Sequence, residues 1–94
     1  MRPYELVFIA HPDLEENAIK GLVEQVKAWI TESGGVVNKV DIWGKRKLAY
    51  QIRKQSEGQY VLLHAEMDPD VSAKLEQNFR ITEPILRFLI TTVD

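Results

Sequence analysis

Hydrophobic and polar residues change their spacing several times along the chain, and each change predicts a new element of secondary structure. The segment PYELVFIA, residues 3–10, is apolar at both odd and even positions, which predicts a strand in the centre of a sheet. Apolar residues then recur at helical spacing, which predicts a helix. These residues are Ile19, Leu22, Val23, Val26 and Ile30. The expected N-cap is Asp13, with Glu16 in the capping-box position, and the expected end is Ser33-Gly34-Gly35.

The middle of the chain returns to a period of two. This alternation starts at Val36 and is interrupted at Gly44, which predicts a long strand that contains a bulge or bend. The residues before the glycine divide between two faces, with Val40 and Ile42 on one and Lys39, Asp41 and Trp43 on the other. The turn-rich residues 54–58 lead to a further strand at residues 59–66, so we expect an antiparallel hairpin.

The last third of the chain predicts a second helix and a fourth strand. Asp68 is the expected N-cap and Pro69 the first helical residue, and apolar residues follow on one helical face. They are Val71, Leu75 and Phe79. Pro84 ends the connection after this helix, and residues 85–93 are predicted to form the final strand.

The predicted order of elements is β-α-β-β-α-β, within one domain that spans residues 1–94. This order is typical of the α+β ferredoxin-like sandwich, a four-stranded antiparallel sheet with two helices on one face. Right-handed crossovers place the first and third strands in the centre. The second face of the sheet is then uncovered, and a partly apolar open face favours a binding partner. We expect this face to carry Val7, Ile9, Leu62, His64, Arg87 and Leu89.

Composition narrows the possible functions. The 94 residues include no cysteine, which excludes disulfides, thiolate metal sites and thiol nucleophiles. No apolar run reaches the roughly 18 residues of a membrane span, so we expect a cytoplasmic protein without a membrane partner. Because the net charge is −2, any affinity for nucleic acid must come from a local patch.

A basic patch of this kind lies in the stretch GKRKLAYQIRK, residues 44–54, which holds five of the twelve basic residues. They are Lys45, Arg46, Lys47, Arg53 and Lys54. This stretch is one arm of the hairpin, and we expect the basic hairpin to form one arm of an L or a wing. Its natural complement is phosphate. Arg2, Arg80 and Arg87 are candidates to extend it. The alternative is that lysines on an exposed strand only prevent edge-to-edge aggregation.

Groups suited to catalysis are poorly represented. His11 and His64 fall in a turn and in a strand, without metal-ligand spacing or a nucleophile nearby. The loop AHPDLEEN after the first strand carries acids that would repel a phosphate, and it has no glycine-rich cradle. We therefore predict no catalytic residue, no metal and no cofactor. The third strand also lacks the aromatic pattern of the single-strand RNA-binding version of this fold, and Tyr60 alone is a weak stacking platform.

Several quoted segments together resemble the bacterial small-subunit ribosomal protein S6 family over essentially the whole chain. They are MRPYELVFIAHPDLEE, GKRKLAYQI, EGQYVLLHAEM, Arg80-Ile81 and ILRFLITT. The most specific elements are Met1-Arg2-x-Tyr4-Glu5 and Gly44-x-Arg46-x-Leu48-Ala49-Tyr50.

This resemblance implies a non-enzymatic RNA-binding protein of the 30S platform, located in the cytoplasm. It further implies that the chain joins the small-subunit protein numbered eighteen, binds the central domain of 16S ribosomal RNA with it, and is a monomer outside the ribosome. The candidate contacts that the resemblance carries over, to RNA or to the partner protein, are Arg2, Tyr4, Arg46, Lys47 and Arg87. Lys45, Arg53 and Arg80 join them on grounds of charge.

Two other functions are compatible with the same topology. One is a regulatory domain that pairs through its sheet and senses a small molecule at the seam, which predicts a stable homodimer. The other is a small phosphohydrolase, which predicts turnover that depends on Asp13 or His11.

Overall fold

The computed structural model describes residues 1–93 and contains four strands and two helices within them. In chain order these are β1 (Arg2–Ala10), α1 (Glu16–Glu32), β2 (Val36–Ile52), β3 (Gln55–Met67), α2 (Pro69–Ile81) and β4 (Ile85–Thr92). All four strands form one antiparallel sheet in the order β2-β3-β1-β4. The first and third strands are central, as predicted, and the ferredoxin-like α+β fold is confirmed.

The core lies between the helices and one face of the sheet. Alternate residues of β1 point to this face, and among them Leu6 and Phe8 are fully buried. Phe79 of α2 is the centre of an aromatic cluster, with its ring centroid 5.8 Å from that of Phe8, 6.1 Å from Trp29 and 5.2 Å from Phe88. The sheet therefore buries one apolar face under both helices and leaves the other face uncovered.

The first helix begins later than predicted. Asp13 belongs to a turn in which its backbone N–H donates a hydrogen bond to Nδ1 of His11 at 3.1 Å. The helix begins at Glu16, with Glu15 as the N-cap residue. The predicted cap at Asp13 is therefore wrong, because the turn that follows β1 already uses this residue. Glu16 does lie in the first turn of the helix, where a carboxylate is stabilised by the positive end of the helix dipole.

The end of the first helix lies where the two glycines predicted it. Gly34 has a φ of 90°, and its N–H donates to the carbonyl of Thr31 at 3.1 Å. The N–H of Gly35 donates to the carbonyl of Ile30 at 2.9 Å, so two carbonyls that a helix end leaves free are satisfied. A side chain at Gly35 would not fit, since a Cβ at this position would lie 2.8 Å from the carbonyl oxygen of Glu66.

The hairpin between β2 and β3 is tighter than predicted. The chain reverses at Arg53 and Lys54, whose φ angles are 48° and 64°, and Ile52 pairs directly with Gln55. Two positive φ angles in a two-residue turn match the twist of the flanking strands. The predicted turn over residues 54–58 is therefore wrong, because most of that segment pairs within β3.

The second helix and the last strand agree closely with the prediction. Asp68 is the N-cap residue, Pro69 opens the helix, and Leu75 and Phe79 are buried. The last strand ends at Thr92. In the part of the chain that the structure describes, no helix is long and apolar enough to cross a membrane.

Candidate functional site

The middle of the uncovered sheet face is apolar. The strand register places Val7 of β1 between Leu62 of β3 and Leu89 of β4. The Leu89 side chain is 60% exposed, and it lines a cleft of about 250 Å³ together with Val7, Ile9 and Arg87. The register puts all of the predicted open-face residues on this side of the sheet, and they are Val7, Ile9, Leu62, His64, Arg87 and Leu89.

Acidic side chains lie beside Lys39 and His64 at one border of this apolar area. Glu5 of β1 lies opposite His64 of β3, and Nε2 of His64 is 3.3 Å from a carboxylate oxygen of Glu5. Lys39 of β2 lies on the other side of His64, and its ammonium group is 3.8 Å from the carboxylate of Asp41. Because Asp41 compensates the charge of Lys39 and Glu5 adds a negative charge, this border does not attract an anion strongly.

The opposite border carries the basic arm, defined here as residues 45–54. The cross-strand pairs are Lys45 with Gln59, Arg46 with Gly58 and Lys47 with Glu57. Strand alternation therefore puts Arg46 on the uncovered face and both lysines on the other face. All three side chains are exposed, and among residues 1–93 no ion pair involves a basic residue of the arm. The arm thus presents free positive charge in two directions.

A β-bulge brings an aromatic side chain next to Arg46. The register shifts between Ile42 and Gly44, so that Gly44, with a φ of 83°, lies opposite Tyr60, and Trp43 is the extra residue. The Trp43 ring lies nearly parallel to that of Tyr60, with 13° between the planes and 6.1 Å between the centroids. Trp43, Tyr60 and Arg46 line one cleft of about 400 Å³.

The basic arm folds over the end of the uncovered face. The guanidinium of Arg87 on β4 donates a hydrogen bond to the hydroxyl of Tyr50. At the tip, Nη1 of Arg53 donates to the backbone carbonyl of Glu83 at 3.1 Å. These contacts hold the arm against β4 and the loop before it. As a consequence, Arg46 and Arg87 belong to the same end of the sheet.

Three other predicted contacts lie elsewhere. Tyr4 is only 6% exposed and belongs to the core, where its hydroxyl is 3.5 Å from Oγ of Ser72. Alternation along β1 turns its ring towards the helices, so this side chain does not lie on the uncovered face. Arg80 lies on α2, donates to Glu76 at 2.7 Å and is remote from the uncovered face. Arg2 is exposed at the start of β1, opposite Met67, at the other end of the sheet from the arm.

Sequence reasoning missed the aromatic half of the site. The sequence alone predicts that Tyr60 is a weak stacking platform and places Trp43 only on a strand face. The signal that connects them is the bulge glycine, Gly44, which allows a residue to be inserted opposite Tyr60. Tyr50, which the sequence marks only as part of the segment Gly44-x-Arg46-x-Leu48-Ala49-Tyr50, lies against Arg87.

The histidines do not form a catalytic arrangement with other residues. Nδ1 of His11 accepts a hydrogen bond from the backbone of Asp13 and lies 3.8 Å from its exposed carboxylate. His64 contacts Glu5 on the sheet. Within residues 1–93, no three histidine, aspartate or glutamate side chains are grouped as a metal site would require.

The fold and the site define a class of protein, namely a ferredoxin-like binding domain whose uncovered sheet face combines apolar, aromatic and basic side chains. Known proteins of one family are similar to it in sequence. Residues 3–92 match the family model of ribosomal protein S6. The small ribosomal subunit protein bS6 of Caldanaerobacter subterraneus is 51% identical over 94 residues, which cover 100% of this chain and 99% of that protein. The bS6 protein of Clostridium perfringens is 47% identical over 90 residues, which cover 96% and 95% of the two chains.

A solved structure shows the same fold. The crystal structure of 30S ribosomal protein S6 from Thermotoga maritima matches with a TM-score of 0.92 and 36% identity, and the match covers 98% of this chain and 87% of that one. The chain therefore belongs to the ribosomal protein S6 family. It is a protein of the small ribosomal subunit, it is located in the cytoplasm as part of that subunit, and it is not an enzyme.

Proposed function

We propose that this protein binds the central domain of 16S ribosomal RNA together with the small-subunit protein numbered eighteen, and that it supports assembly of the 30S platform without catalysis. The observation that carries the proposal is the basic arm, where Arg46 on one face and Lys45 and Lys47 on the other have no ion-pair partner among residues 1–93. A cation that is free of internal partners can bind phosphate without first breaking an ion pair.

The energy of such binding comes largely from released counterions. Each basic side chain that neutralises a phosphate displaces condensed cations from the RNA, whatever the base sequence. The net charge of −2 gives no general attraction to add to this effect. We therefore expect weak RNA binding by the protein alone and tighter binding when a basic partner protein supplies more positive surface.

The apolar middle of the uncovered face is the surface that we assign to the partner protein. Val7, Leu62 and Leu89 lie side by side across three strands, and Leu89 is largely exposed. Burial of exposed apolar surface is the main driving force of protein association. In this arrangement, the partner covers the middle of the sheet while the basic arm at its end stays available to RNA. Outside the ribosome, the protein is then a monomer with one unpartnered apolar face.

The proposal is tested by a gel-shift titration of a central-domain fragment of 16S RNA at two salt concentrations, with and without the partner protein. Arg46→Ala and Lys47→Ala are expected to weaken RNA binding. They should also lower the salt slope, which is the steepness with which the logarithm of the binding constant falls against the logarithm of the salt concentration, by about one for each lost phosphate contact. The matched control is Lys74→Ala, which removes an exposed lysine from α2 on the other side of the protein. It is expected to leave the slope unchanged.

Two results would contradict the proposal. Equal slopes for the parent protein and both arm variants would remove the arm from the RNA interface. A stable homodimer in sedimentation, combined with no RNA binding under either condition, would favour the small-molecule sensor. The aligned relatives are ribosomal proteins, which favours the assembly function over the sensor.

A further inference from the structure

We infer that the cleft beside Trp43 and Tyr60 receives one unpaired base of the RNA, which stacks on the Trp43 ring while Arg46 binds a neighbouring phosphate. This inference rests on the proposed RNA-binding function and assigns it a position on the protein. Three observations carry it, namely the orientation of the two rings, the exposure of Trp43 and the free charge of Arg46.

The two aromatic rings form a platform that is already oriented. Their planes differ by 13°, and their centroids are 6.1 Å apart, which is within the range of offset aromatic pairs. Tyr60 is half-buried on the central strand β3, so it supports the Trp43 ring, whose residue remains 45% exposed. An aromatic ring that is held in place loses little conformational entropy when a ligand stacks on it.

The cleft has the chemistry of a nucleotide site. Arg46 lines it together with both rings, in a space of about 400 Å³. A guanidinium binds phosphate oxygens through two parallel hydrogen bonds, and a base stacks on an aromatic ring whatever its identity. One nucleotide satisfies both requirements, because its phosphate and its base are covalently joined.

The surrounding charges favour a nucleic acid over a protein segment at this cleft. Of the acids nearest to it along the strands, Asp41 lies 3.8 Å from the ammonium of Lys39, and Glu57 lies opposite Lys47 and points to the other face of the arm. The net charge of the arm is positive on both faces, as a polyanion requires. The apolar part of the sheet, where a protein partner is expected, lies further along β1 and β4 around Val7 and Leu89.

Fluorescence of Trp43 tests the inference directly. The chain contains two tryptophans, and Trp29→Phe leaves Trp43 as the only one. Because Trp29 of α1 packs edge-on against Phe79 of α2, phenylalanine retains an aromatic ring at this contact. This variant is mixed with a partner protein whose own tryptophans are replaced by phenylalanine, and the central-domain RNA fragment is added. Stacking of a base is expected to quench the Trp43 emission in a saturable manner.

Binding measurements complete the test. Trp43→Ala is expected to weaken RNA binding by the two-protein complex roughly 5- to 150-fold, and Trp43→Phe is expected to recover part of the loss because a ring remains. The matched control is Ile42→Ala. Ile42 is the neighbouring residue, it is 46% exposed, and it points to the opposite face of β2. Urea unfolding of each variant shows whether the fold is retained.

The outcomes separate this inference from the proposed function. If the parent complex binds RNA and Arg46→Ala weakens it, but Trp43→Ala binds like the parent and RNA does not quench the Trp43 emission of the Trp29→Phe variant, the function stands and the base-stacking site is disproved. If Trp43→Ala weakens association with the partner protein in the absence of RNA, the cleft is a protein contact and the inference is wrong. If the parent complex does not bind the RNA, both proposals fail.

Discussion

The guanidinium of Arg87 donates a hydrogen bond to the hydroxyl of Tyr50 and lies 5.9 Å from the centre of its ring. These residues belong to β4 and β2, which are the outermost strands on opposite sides of the sheet. The contact exists because the basic arm crosses the end of the uncovered face. Both residues line a small cleft of about 180 Å³ together with Ile9 and Tyr60, and their contact holds the arm next to the proposed RNA site.

Removal of the Arg87 side chain is expected to loosen the arm without unfolding the protein. Arg87→Ala eliminates one exposed hydrogen bond and one cation–π contact, which together contribute about 1 kcal/mol. Amide hydrogen exchange of residues 48–54 should therefore accelerate, while exchange in β1 and β3 stays slow. Tyr50→Phe is the matched control, because it removes the hydroxyl but keeps the ring, and it should give a smaller acceleration. Unchanged exchange in both variants would show that the contact does not hold the arm.

Gly58 is expected to tolerate no side chain. A Cβ at this position would lie 2.3 Å from Cγ2 of Ile9, which is a branched side chain packed on the central strand. Gly58→Ala should therefore lower the free energy of unfolding by about 1–3 kcal/mol in urea titrations. Gly21→Ala is the opposite control, since Gly21 lies inside α1 with nothing within 4 Å of a Cβ, and alanine should stabilise that helix by about 0.5–1 kcal/mol. A stabilised Gly58→Ala variant would contradict the close packing of β3 on Ile9.

Gly44→Ala is expected to disturb the aromatic pair as well as the stability. No atom lies within 4 Å of a Cβ at Gly44, so the cost of about 1–2 kcal/mol comes from the positive φ of 83° alone. The near-ultraviolet circular dichroism of the Trp43–Tyr60 pair should weaken as the bulge relaxes. Gly34→Ala is the control, because Gly34 has a φ of 90° and equally free space at the end of α1. It should lose similar stability but keep the aromatic signal and RNA binding.

The tight turn of the hairpin predicts a stabilising substitution. Lys54 has a φ of 64°, a conformation that favours glycine, so Lys54→Gly should raise the free energy of unfolding by about 0.5–1 kcal/mol. Lys47→Gly removes the same charge from the extended part of β2 and should lower stability instead, because glycine weakens a strand interior. If both variants lose stability equally in urea, the turn does not store strain at Lys54. Both should weaken RNA binding if their ammonium groups contact phosphate.

Element types were predictable because they depend on local spacing. The strand pattern of residues 3–10 and the helical spacing after them show which side chains can be buried together on one side of an element. The pair Asp68-Pro69 marks the start of a helix through its own residue types. Ends of elements were less predictable. Aspartate is a favoured N-cap residue, but Asp13 lies in a turn in which its backbone N–H donates a hydrogen bond to His11. The segment from Lys54 to Gly58 was rich in turn formers, yet cross-strand pairing held most of it in β3.

The positive charge of the candidate site could be predicted from the sequence, but the positions of its side chains in the structure could not. The run Lys45-Arg46-Lys47 is visible in the sequence, but which of its members faces the uncovered sheet depends on the bulge at Gly44. The eight candidate contacts also separated in space. Tyr4 lies in the core and Arg80 lies on α2. Arg46, Arg53 and Arg87 lie at one end of the sheet.

The sequence by itself determined the fold class, the open face and the basic arm, because periodicity, turn residues and charge are properties of neighbours along the chain. The tertiary structure alone decided that Trp43 lies on Tyr60 and that Arg87 reaches Tyr50. These pairs join residues that are far apart in sequence, through a register shift and a folded-over arm. Such contacts depend on how the whole sheet packs with its helices, so they cannot be predicted from any short segment of the sequence.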